Sequence, residues 1–209
     1  MENECLFCEL NRFNINKELL LPERKSIIWE DENVYASPDL FPLVVGHFLV
    51  VSKYHYNSFA NAPCEVYTSV KKALRFIKSN LLNDANTATF EHGAVIEHSG
   101  GSSIDHAHIH IMPFNKDLKS AIEESPYIME NPFIGSEIGL SIMAKKQYPY
   151  ILYQKNSEAA LVYHVNKLPS QFLRIIISKE LNTEFDWHKM RIDGTAKQKF
   201  IETLALANR

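Results

Sequence analysis

Three histidines alternate with apolar residues in the stretch DHAHIHIMPF, residues 105–114: His106, His108 and His110. In a β-strand, successive side chains point to opposite faces, so the three imidazoles would line one face. The alanine and isoleucines between them would line the other face, whereas a helix would scatter both sets. The alternation therefore predicts a strand with an imidazole row facing a site and an apolar row facing a core.

Length and composition limit the classes of protein to consider. At 209 residues, the chain is long enough for one large domain, or for a domain of about 115 residues with an elaboration. The net charge of −3 gives no bulk electrostatic reason to bind nucleic acid or a membrane surface. The N-terminal residues are polar, and no apolar run approaches the about 18 residues of a membrane span. We therefore expect a cytoplasmic protein that binds a small molecule, with no membrane or specific nucleic acid as partner.

Two of the three cysteines form a C-x-x-C motif, Cys5 and Cys8. In a reducing compartment this spacing points to metal binding or redox chemistry rather than to a structural disulfide. A structural zinc takes four nitrogen or sulfur ligands, so two more must come from the nine histidines. His106 and His110 would lie about 13 Å apart along a strand, so one ion cannot take the whole row. The histidines must divide their roles.

The first half of the chain predicts strands and one long helix. Residues 26–31 and 33–42 indicate a hairpin, and residues 47–55 indicate a further strand. Between positions 64 and 82, apolar residues recur at intervals of three and four, which predicts an amphipathic helix. Residues 87–114 predict two strands joined by a glycine and serine loop.

Beyond residue 115 the signals are weaker. We expect a short helix near 116–124, an irregular stretch through Gly139, and a hairpin of residues 148–154 with 159–165. Two helices should follow, one in LPSQFLRIIISKEL with Pro169 as an early helical residue, and one in TAKQKFIETLALAN.

The histidine pattern resembles the signature of the histidine triad (HIT) superfamily of nucleotide hydrolases and transferases. Two further stretches, CLFCEL and PDLFPLVVGHFLVVSKYH, occur in the order and approximate spacing seen in zinc-containing members. The resemblance implies an α+β fold, with a HIT-like antiparallel sheet of five strands and packed helices. We accordingly divide the chain into a nucleotide-binding and catalytic domain, residues 1–115, and a mixed C-terminal extension of hairpin and helices, residues 116–209, packed on it.

The resemblance also implies roles for individual residues. One structural zinc would have four ligands: Cys5, Cys8, His55 and His106. His108 would be the nucleophile, His110 would contact the α-phosphate, and Asp39 would hydrogen-bond the ribose hydroxyls. The loop before the triad would cradle the same phosphate through three residues: Gly101, Ser102 and Ser103. A neutral imidazole is a competent nucleophile toward phosphorus, and backbone N–H groups suit the charge that develops on phosphoryl oxygens.

The sequence departs from the family pattern in two places. Many members have an asparagine followed by a glycine in the strand before the triad, and a glutamine ahead of the serine in the phosphate loop. Here the corresponding residues are FEHG at 90–93 and GSS at 101–103. Glu91 and His92 are therefore candidates to approach the leaving group, whereas we expect Glu97 and His98 to be ordinary exposed residues.

These features favour an enzyme that attacks the α-phosphate of a nucleotide conjugate, such as a dinucleoside polyphosphate. It would be a hydrolase or a nucleotidyltransferase that forms a covalent nucleotidyl-histidine on His108. One alternative is a zinc-stabilised nucleotide-binding or protein-interaction module with little turnover. Another is a metallohydrolase with His106 and His108 as catalytic zinc ligands, which leaves the C-x-x-C motif unexplained. Many family members form homodimers with a continuous sheet, but the extension is an alternative cover for that edge, so the oligomeric state stays open.

Overall fold

The computed structural model describes residues 5–8, 11–82, 86–192 and 194–208. Up to residue 115, these form α1 (Asn14–Glu18), β1 (Trp29–Glu30), β2 (Val34–Pro38), β3 (Phe48–Ser52), a 3₁₀ turn (Phe59–Asn61), α2 (Cys64–Asn80), β4 (Thr87–Gly93) and β5 (His108–Pro113). The extension forms α3 (Lys119–Glu123), β6 (Phe133–Ile134), α4 (Ser136–Lys146), β7 (Tyr150–Lys155), β8 (Leu161–His164), α5 (Phe172–Glu180), α6 (Trp187–Ile192) and α7 (Thr195–Leu206). Within these ranges, no helix has the length and apolar character needed to cross a membrane.

The strands of the described residues join in one antiparallel sheet, in the order β1-β2-β3-β5-β4-β7-β8-β6. The described residues up to 115, called the first domain below, supply the five strands that the resemblance implied. The extension then adds three strands beside β4, through six residue pairs between β4 and β7. The α+β class with an antiparallel sheet is confirmed, and the sheet continues into the extension.

The alternation along β5 is as predicted. Ile109 and Ile111 are fully buried in the core that α2 forms with the sheet. His108 and His110 point to the other face, where they pair across the strands with Val51 and Leu49 of β3. The core beneath α2 therefore fixes the register that presents the imidazole row.

Most predicted elements of the first domain are present within a few residues. Helix α2 begins at Cys64, as the apolar spacing predicted, and ends at Asn80. Its apolar side packs against β2, β3 and β5, with Val70, Ala73 and Ile77 fully buried. Strand β3 is buried on both faces, so its side chains point alternately into the core beneath α2 and toward the opposite face of the sheet.

The prediction of an irregular stretch through Gly139 was wrong, because β6 and α4 form there. Gly139 lies inside α4, where a Cβ atom would stand 2.5 Å from the Cβ atom of Val162 on β8. The glycine therefore permits close packing of the helix on the sheet, and does not break the helix.

The predicted position of Pro169 was also wrong, because α5 begins three residues later, at Phe172. Gln171 adopts a left-handed conformation with φ of 63°, and its N–H donates to the carbonyl of Gly101 at 2.9 Å. The start of α5 is therefore set by contact with the loop before the histidine strand, which local propensity does not report.

The central strand β4 contains a buried carboxyl group, Glu91. Its oxygens accept hydrogen bonds from the N–H of Phe59 at 2.8 Å and from the hydroxyl of Tyr150 at 2.6 Å. Burial raises the pKa of Glu91 to about 7, although these two hydrogen bonds oppose the shift. Glu91 therefore joins the first domain to β7, and does not face a ligand.

We predict that Glu91→Gln changes how stability depends on pH. A pKa raised in the folded state adds stability below about pH 4.5, and this stability is lost as the pH rises through about 7. The free energy of unfolding of the wild type, minus that of Glu91→Gln, should therefore fall by about 3 kcal/mol from pH 4.5 to 8. Urea unfolding at several pH values measures this difference. The exposed Glu97→Gln is the matched control, and a difference independent of pH would contradict the assignment.

Candidate active site

A cavity of about 240 Å³ lies over the histidine face of β5. Its polar wall combines residues of the first domain with two from the start of α5: Asp39, His92, Ser102, Ser103, His108, His110, Gln171 and Arg174. Its apolar wall includes Phe7, from within the C-x-x-C motif, and Leu49 of β3. The extension therefore forms part of the same cavity as the histidine row.

His108 presents an imidazole lone pair to this cavity. Its Nδ1 lies 2.6 Å from the backbone carbonyl oxygen of His106, so the Nδ1–H donates to that oxygen. Burial lowers the pKa of His108, which keeps the ring neutral. A neutral ring with its proton on Nδ1 has an unprotonated Nε2, which is the atom that acts as a nucleophile or base.

His110 is held in the opposite tautomer by a chain of hydrogen bonds. The N–H of Leu43 donates to Nδ1 of His47 at 3.2 Å, so the proton of neutral His47 is on Nε2. This Nε2–H donates to Nδ1 of His110 at 3.0 Å. Burial lowers the pKa of both histidines, so His110 is neutral and carries its own proton on Nε2. Its ring stacks on Phe90, with centroids 4.6 Å apart, which fixes its orientation as a donor.

Asp39 lies at the base of the cavity wall and is buried. One oxygen, Oδ1, accepts from the N–H of Phe41 at 2.6 Å, and Oδ2 lies 3.3 Å from Nη1 of Arg174 and 3.2 Å from Nδ1 of His110. Burial raises the pKa of this carboxyl group, but the opposing effects, of which the charge of Arg174 is the largest, hold the pKa well below its usual range. Asp39 is therefore ionised and paired with a residue of the extension.

The loop before β5 brings two of its three predicted residues to the cavity. Ser102 and Ser103 line the cavity, and Gly101 lies buried behind them with φ of 71°. A Cβ atom at Gly101 would stand 2.7 Å from Cβ of Leu168 and 2.8 Å from the carbonyl oxygen of Pro169. Glycine is required there because the extension packs directly on the loop.

The two remaining acidic and basic candidates of this region lie at the surface. Glu97 and His98 are exposed, as expected, and the His98 ring pairs with Asp105 at 2.8 Å. His92 is different, because it is buried and lines the cavity. Its Nε2 accepts from the N–H of Leu173 at 3.1 Å, and burial lowers its pKa to about 3, so its proton is on Nδ1.

Three residues of the site were absent from the sequence prediction: His47, Gln171 and Arg174. His47 stands next to Gly46 at the start of β3, where an alignment of β3 with β5 indicates proximity to His110. Arg174 interrupts the apolar run FLRIII, and a single charge on the buried side of a helix is a signal for a buried partner. Gln171 has no sequence signal, because its contact depends on how the extension folds back.

A second cluster lies beside the cavity and contains the four predicted metal ligands: Cys5, Cys8, His55 and His106. Their donor atoms all lie within 4.8 Å of one another. Sγ of Cys5 is 3.4 Å from Nδ1 of His106, and Sγ of Cys8 is 3.3 Å from Nδ1 of His55. On a tetrahedral zinc, sulfur and nitrogen ligands are about 3.5 Å apart. The Nε2–H of His106 donates to the carbonyl of Ser52 at 2.8 Å, which leaves Nδ1 free to bind a metal. The donor set fits a closed zinc site.

Comparisons with known proteins find similarity over about the first half of the chain. The HIT domain profile matches residues 22–117. An uncharacterised HIT-like protein of Methanocaldococcus jannaschii is 34% identical over 113 residues, which cover 52% of this chain and 78% of that protein. The adenosine 5′-monophosphoramidase of Saccharomyces cerevisiae is 28% identical over 123 residues, which cover 58% of this chain and 69% of that enzyme. A crystal structure of a hypothetical histidine triad nucleotide-binding protein of Sulfolobus tokodaii is 28% identical and covers 54% of this chain and 71% of that one, with a TM-score of 0.40.

An antiparallel sheet with alternating histidines on its central strand, beneath a glycine and serine loop, defines a histidine triad protein. The chain belongs to the HIT domain family. The residues that follow the match, from position 118 onward, include the α5 segment that contributes Gln171 and Arg174 to the cavity.

We predict that the two cavity histidines of β5 have opposite tautomers in solution. At pH 7.5, His108 should carry its proton on Nδ1 and His110 on Nε2, because of their respective hydrogen bonds. Two-bond ¹H–¹⁵N correlation spectra distinguish the two tautomers, and spectra of His108→Gln and His110→Gln assign the signals. The exposed His188 serves as the reference ring. An Nε2–H signal for His108 would contradict the assignment.

Proposed function

We propose that this protein is an enzyme that transfers a nucleoside monophosphate from a nucleotide conjugate to water or another acceptor. The observation that carries the proposal is the unprotonated Nε2 of His108 on the wall of a cavity, held by the bond from Nδ1–H to the His106 carbonyl. A neutral imidazole without this tautomer would present a proton, and could not attack.

The reaction has two displacements at the same phosphorus. In the first, Nε2 of His108 forms a bond to the α-phosphorus, and the bond to the leaving group breaks with its electron pair on the leaving group, which is then protonated. In the second, the oxygen of water bonds to phosphorus, the phosphorus–nitrogen bond breaks, and water loses a proton. The products are a nucleoside monophosphate and free His108. An acceptor other than water would give a transferase by the same scheme.

Donors on the cavity wall suit the charge that develops on the phosphoryl oxygens. The Nε2–H of His110 is fixed by His47, and the hydroxyl of Ser103 lies at the cavity edge. Fixed donors stabilise a transition state more than mobile water does, because their dipoles need no reorganisation.

An adjoining cavity, which meets the first along an apolar wall, supports a substrate larger than a phosphate. It has a volume of about 280 Å³ and shares five lining residues with the first cavity: Leu6, Phe7, Leu40, Phe41 and Leu49. Such walls suit the apolar faces of a nucleoside. The yeast relative is by name an adenosine 5′-monophosphoramidase, which acts on an adenylyl conjugate, and dinucleoside polyphosphates present the same α-phosphate to His108.

We also propose that Cys5, Cys8, His55 and His106 hold one structural zinc. When bound, the ion would cross-link the N-terminal turn to the sheet, because its ligands come from separate segments of the chain. Two residues of this region position His108: the backbone carbonyl of His106 sets its tautomer, and the centroid of the Phe7 ring lies 5.2 Å from that of the His108 ring. The metallohydrolase alternative receives no support, because among the described residues the donor atom of His106 groups with those of Cys5, Cys8 and His55, and His108 belongs to no such group.

We predict that His108→Ala abolishes turnover but retains binding of nucleoside monophosphate. Release of nucleoside monophosphate is measured with diadenosine polyphosphates, adenosine phosphoramidates and nucleotide sugars. The best substrate should lose at least about a thousandfold in kcat/KM, because the nucleophile is gone. His188→Ala, an exposed histidine on α6, should leave the rate unchanged. If the wild type binds nucleotides as tightly as His108→Ala does and turns over none of these compounds, the binding-module alternative is correct.

We predict that the purified protein contains about one zinc per chain, measured by atomic emission. The double variant Cys5→Ser, Cys8→Ser should lose the zinc and melt at a lower temperature, because metal binding is coupled to folding. Cys64→Ser is the matched control, since Cys64 is exposed and lies outside the cluster. A wild type that contains no zinc, and whose melting temperature is insensitive to added zinc, would exclude the structural zinc.

A further inference from the structure

The start of α5 is attached to the cavity by a set of direct contacts. Nε2–H of Gln171 donates to the hydroxyl of Ser103 at 2.6 Å, and that hydroxyl also lies 2.9 Å from the hydroxyl of Ser170. Gln171 is held in a left-handed conformation, which is uncommon for a residue other than glycine, asparagine or aspartate. Strained backbone of this kind persists only where the surroundings determine it. The extension is therefore fitted to the cavity, and does not merely cover it.

Arg174 is the residue of this segment that carries charge into the cavity wall. It is 5% exposed, its guanidinium pairs with Asp39, and its Nη2–H also donates to the carbonyl oxygen of Phe41. The ring of Phe185 lies 4.4 Å from the guanidinium carbon, so the planar group has a fixed position. These contacts occupy Nη1 and Nη2.

The third nitrogen of Arg174 has no such contact. Within the described residues, the buried Nε has no hydrogen-bond partner. A buried donor on a charged group without a partner is costly, and native proteins seldom leave one unless a ligand or water supplies the acceptor. Nε itself is buried, but the accessible part of the Arg174 side chain lines the cavity, so an anion bound there lies against this side chain.

The balance of charge in the cavity leads to the same conclusion. Asp39 and Arg174 are its two oppositely charged side chains, and Asp39 is ionised. With Asp39 alone, the wall would repel a phosphate at a distance where screening by salt is weak. Arg174 removes that repulsion and offers a guanidinium, the group best suited to phosphoryl oxygens.

We propose that Arg174 is a substrate-binding residue that the extension supplies, and that its guanidinium contacts the phosphoryl oxygens of the nucleotide. This inference rests on the proposed function. It makes the extension a determinant of specificity: the cavity selects nucleoside phosphates over uncharged nucleosides through a residue that lies outside the region matched by the family.

Titration calorimetry with AMP and with adenosine tests the proposal on the full-length chain. Arg174→Gln should weaken AMP binding by at least about tenfold and change adenosine binding by less than about twofold. Lys179→Gln makes the same change of charge on an exposed position of α5, and should alter neither. An unchanged affinity for AMP, or an equal loss for both ligands, would overturn the proposal, because the first excludes a contact and the second indicates packing alone.

A double variant separates direct contact from neutralisation of Asp39. If Arg174 only cancels the charge of Asp39, then Asp39→Asn combined with Arg174→Gln should restore AMP binding, and the proposed contact is wrong. If the contact exists, the double variant should stay at least about tenfold weaker for AMP than Asp39→Asn alone. Should Arg174→Gln fail to fold, as judged by circular dichroism, Arg174→Lys keeps the charge but lacks the planar guanidinium. It should weaken AMP binding and leave adenosine binding unchanged, and any other result overturns the proposal.

The same titrations distinguish failure of the proposed function. A wild type that binds neither AMP nor adenosine would remove the nucleotide site altogether, and the role of Arg174 with it. A wild type that binds AMP well, together with an Arg174→Gln variant that binds it equally well, would leave the proposed function standing and remove only this inference.

Discussion

The pairing of β5 with β3 is the constraint on which the site depends. It places Ile109 and Ile111 in the core beneath α2, and their burial fixes the side on which the histidines emerge. A slip of one residue would exchange the two rows, so that imidazoles entered an apolar core. The free energy of burying the apolar row therefore also holds the histidine row on the face of the sheet that lines the site.

The polar face of β5 is stable only because each imidazole has a fixed partner. His108 donates to a carbonyl, His110 accepts from His47, and His106 donates to Ser52. Buried imidazoles without such bonds would destabilise the sheet. These bonds also select the tautomers, so the satisfaction of buried polar groups and the arrangement of nucleophile and donor have one physical cause.

The extension changes both the sheet and the cavity. Strand β7 pairs with the edge of β4. That edge is therefore not available for a homodimer in which the sheet continues from β4 of one chain into the other. The strands at the two ends of the described sheet, β1 and β6, are two residues long and offer little for such pairing. The chain that follows β8 then returns to the loop of Ser103, where α5 begins. The same extension therefore first covers the edge of β4 and then, further along the chain, completes the cavity wall.

The sequence predicts the elements that have a local periodicity, and it misses the contacts between residues that are far apart in the chain. The row of β5, helix α2 and the hairpin of β7 with β8 follow from repeats of two or of three and four residues, and all are present. The pair of Asp39 with Arg174 joins residues 135 positions apart, and no local pattern records that distance. The start of α5 was missed for the same reason, since a hydrogen bond to Gly101 decides it.

His106 shows how one residue can connect the two halves of the site. Its side chain lies among Cys5, Cys8 and His55, whereas its carbonyl oxygen accepts a hydrogen bond from the Nδ1–H of His108. Any displacement of the cluster would move that oxygen and weaken the bond that keeps Nε2 of His108 unprotonated. Phe7, between the two cysteines, contacts the rings of both histidines and lines the cavity. If His108 has the role that we propose, the cluster acts on the chemistry through position alone, and an ion bound there would stabilise the tautomer of His108 without touching the substrate.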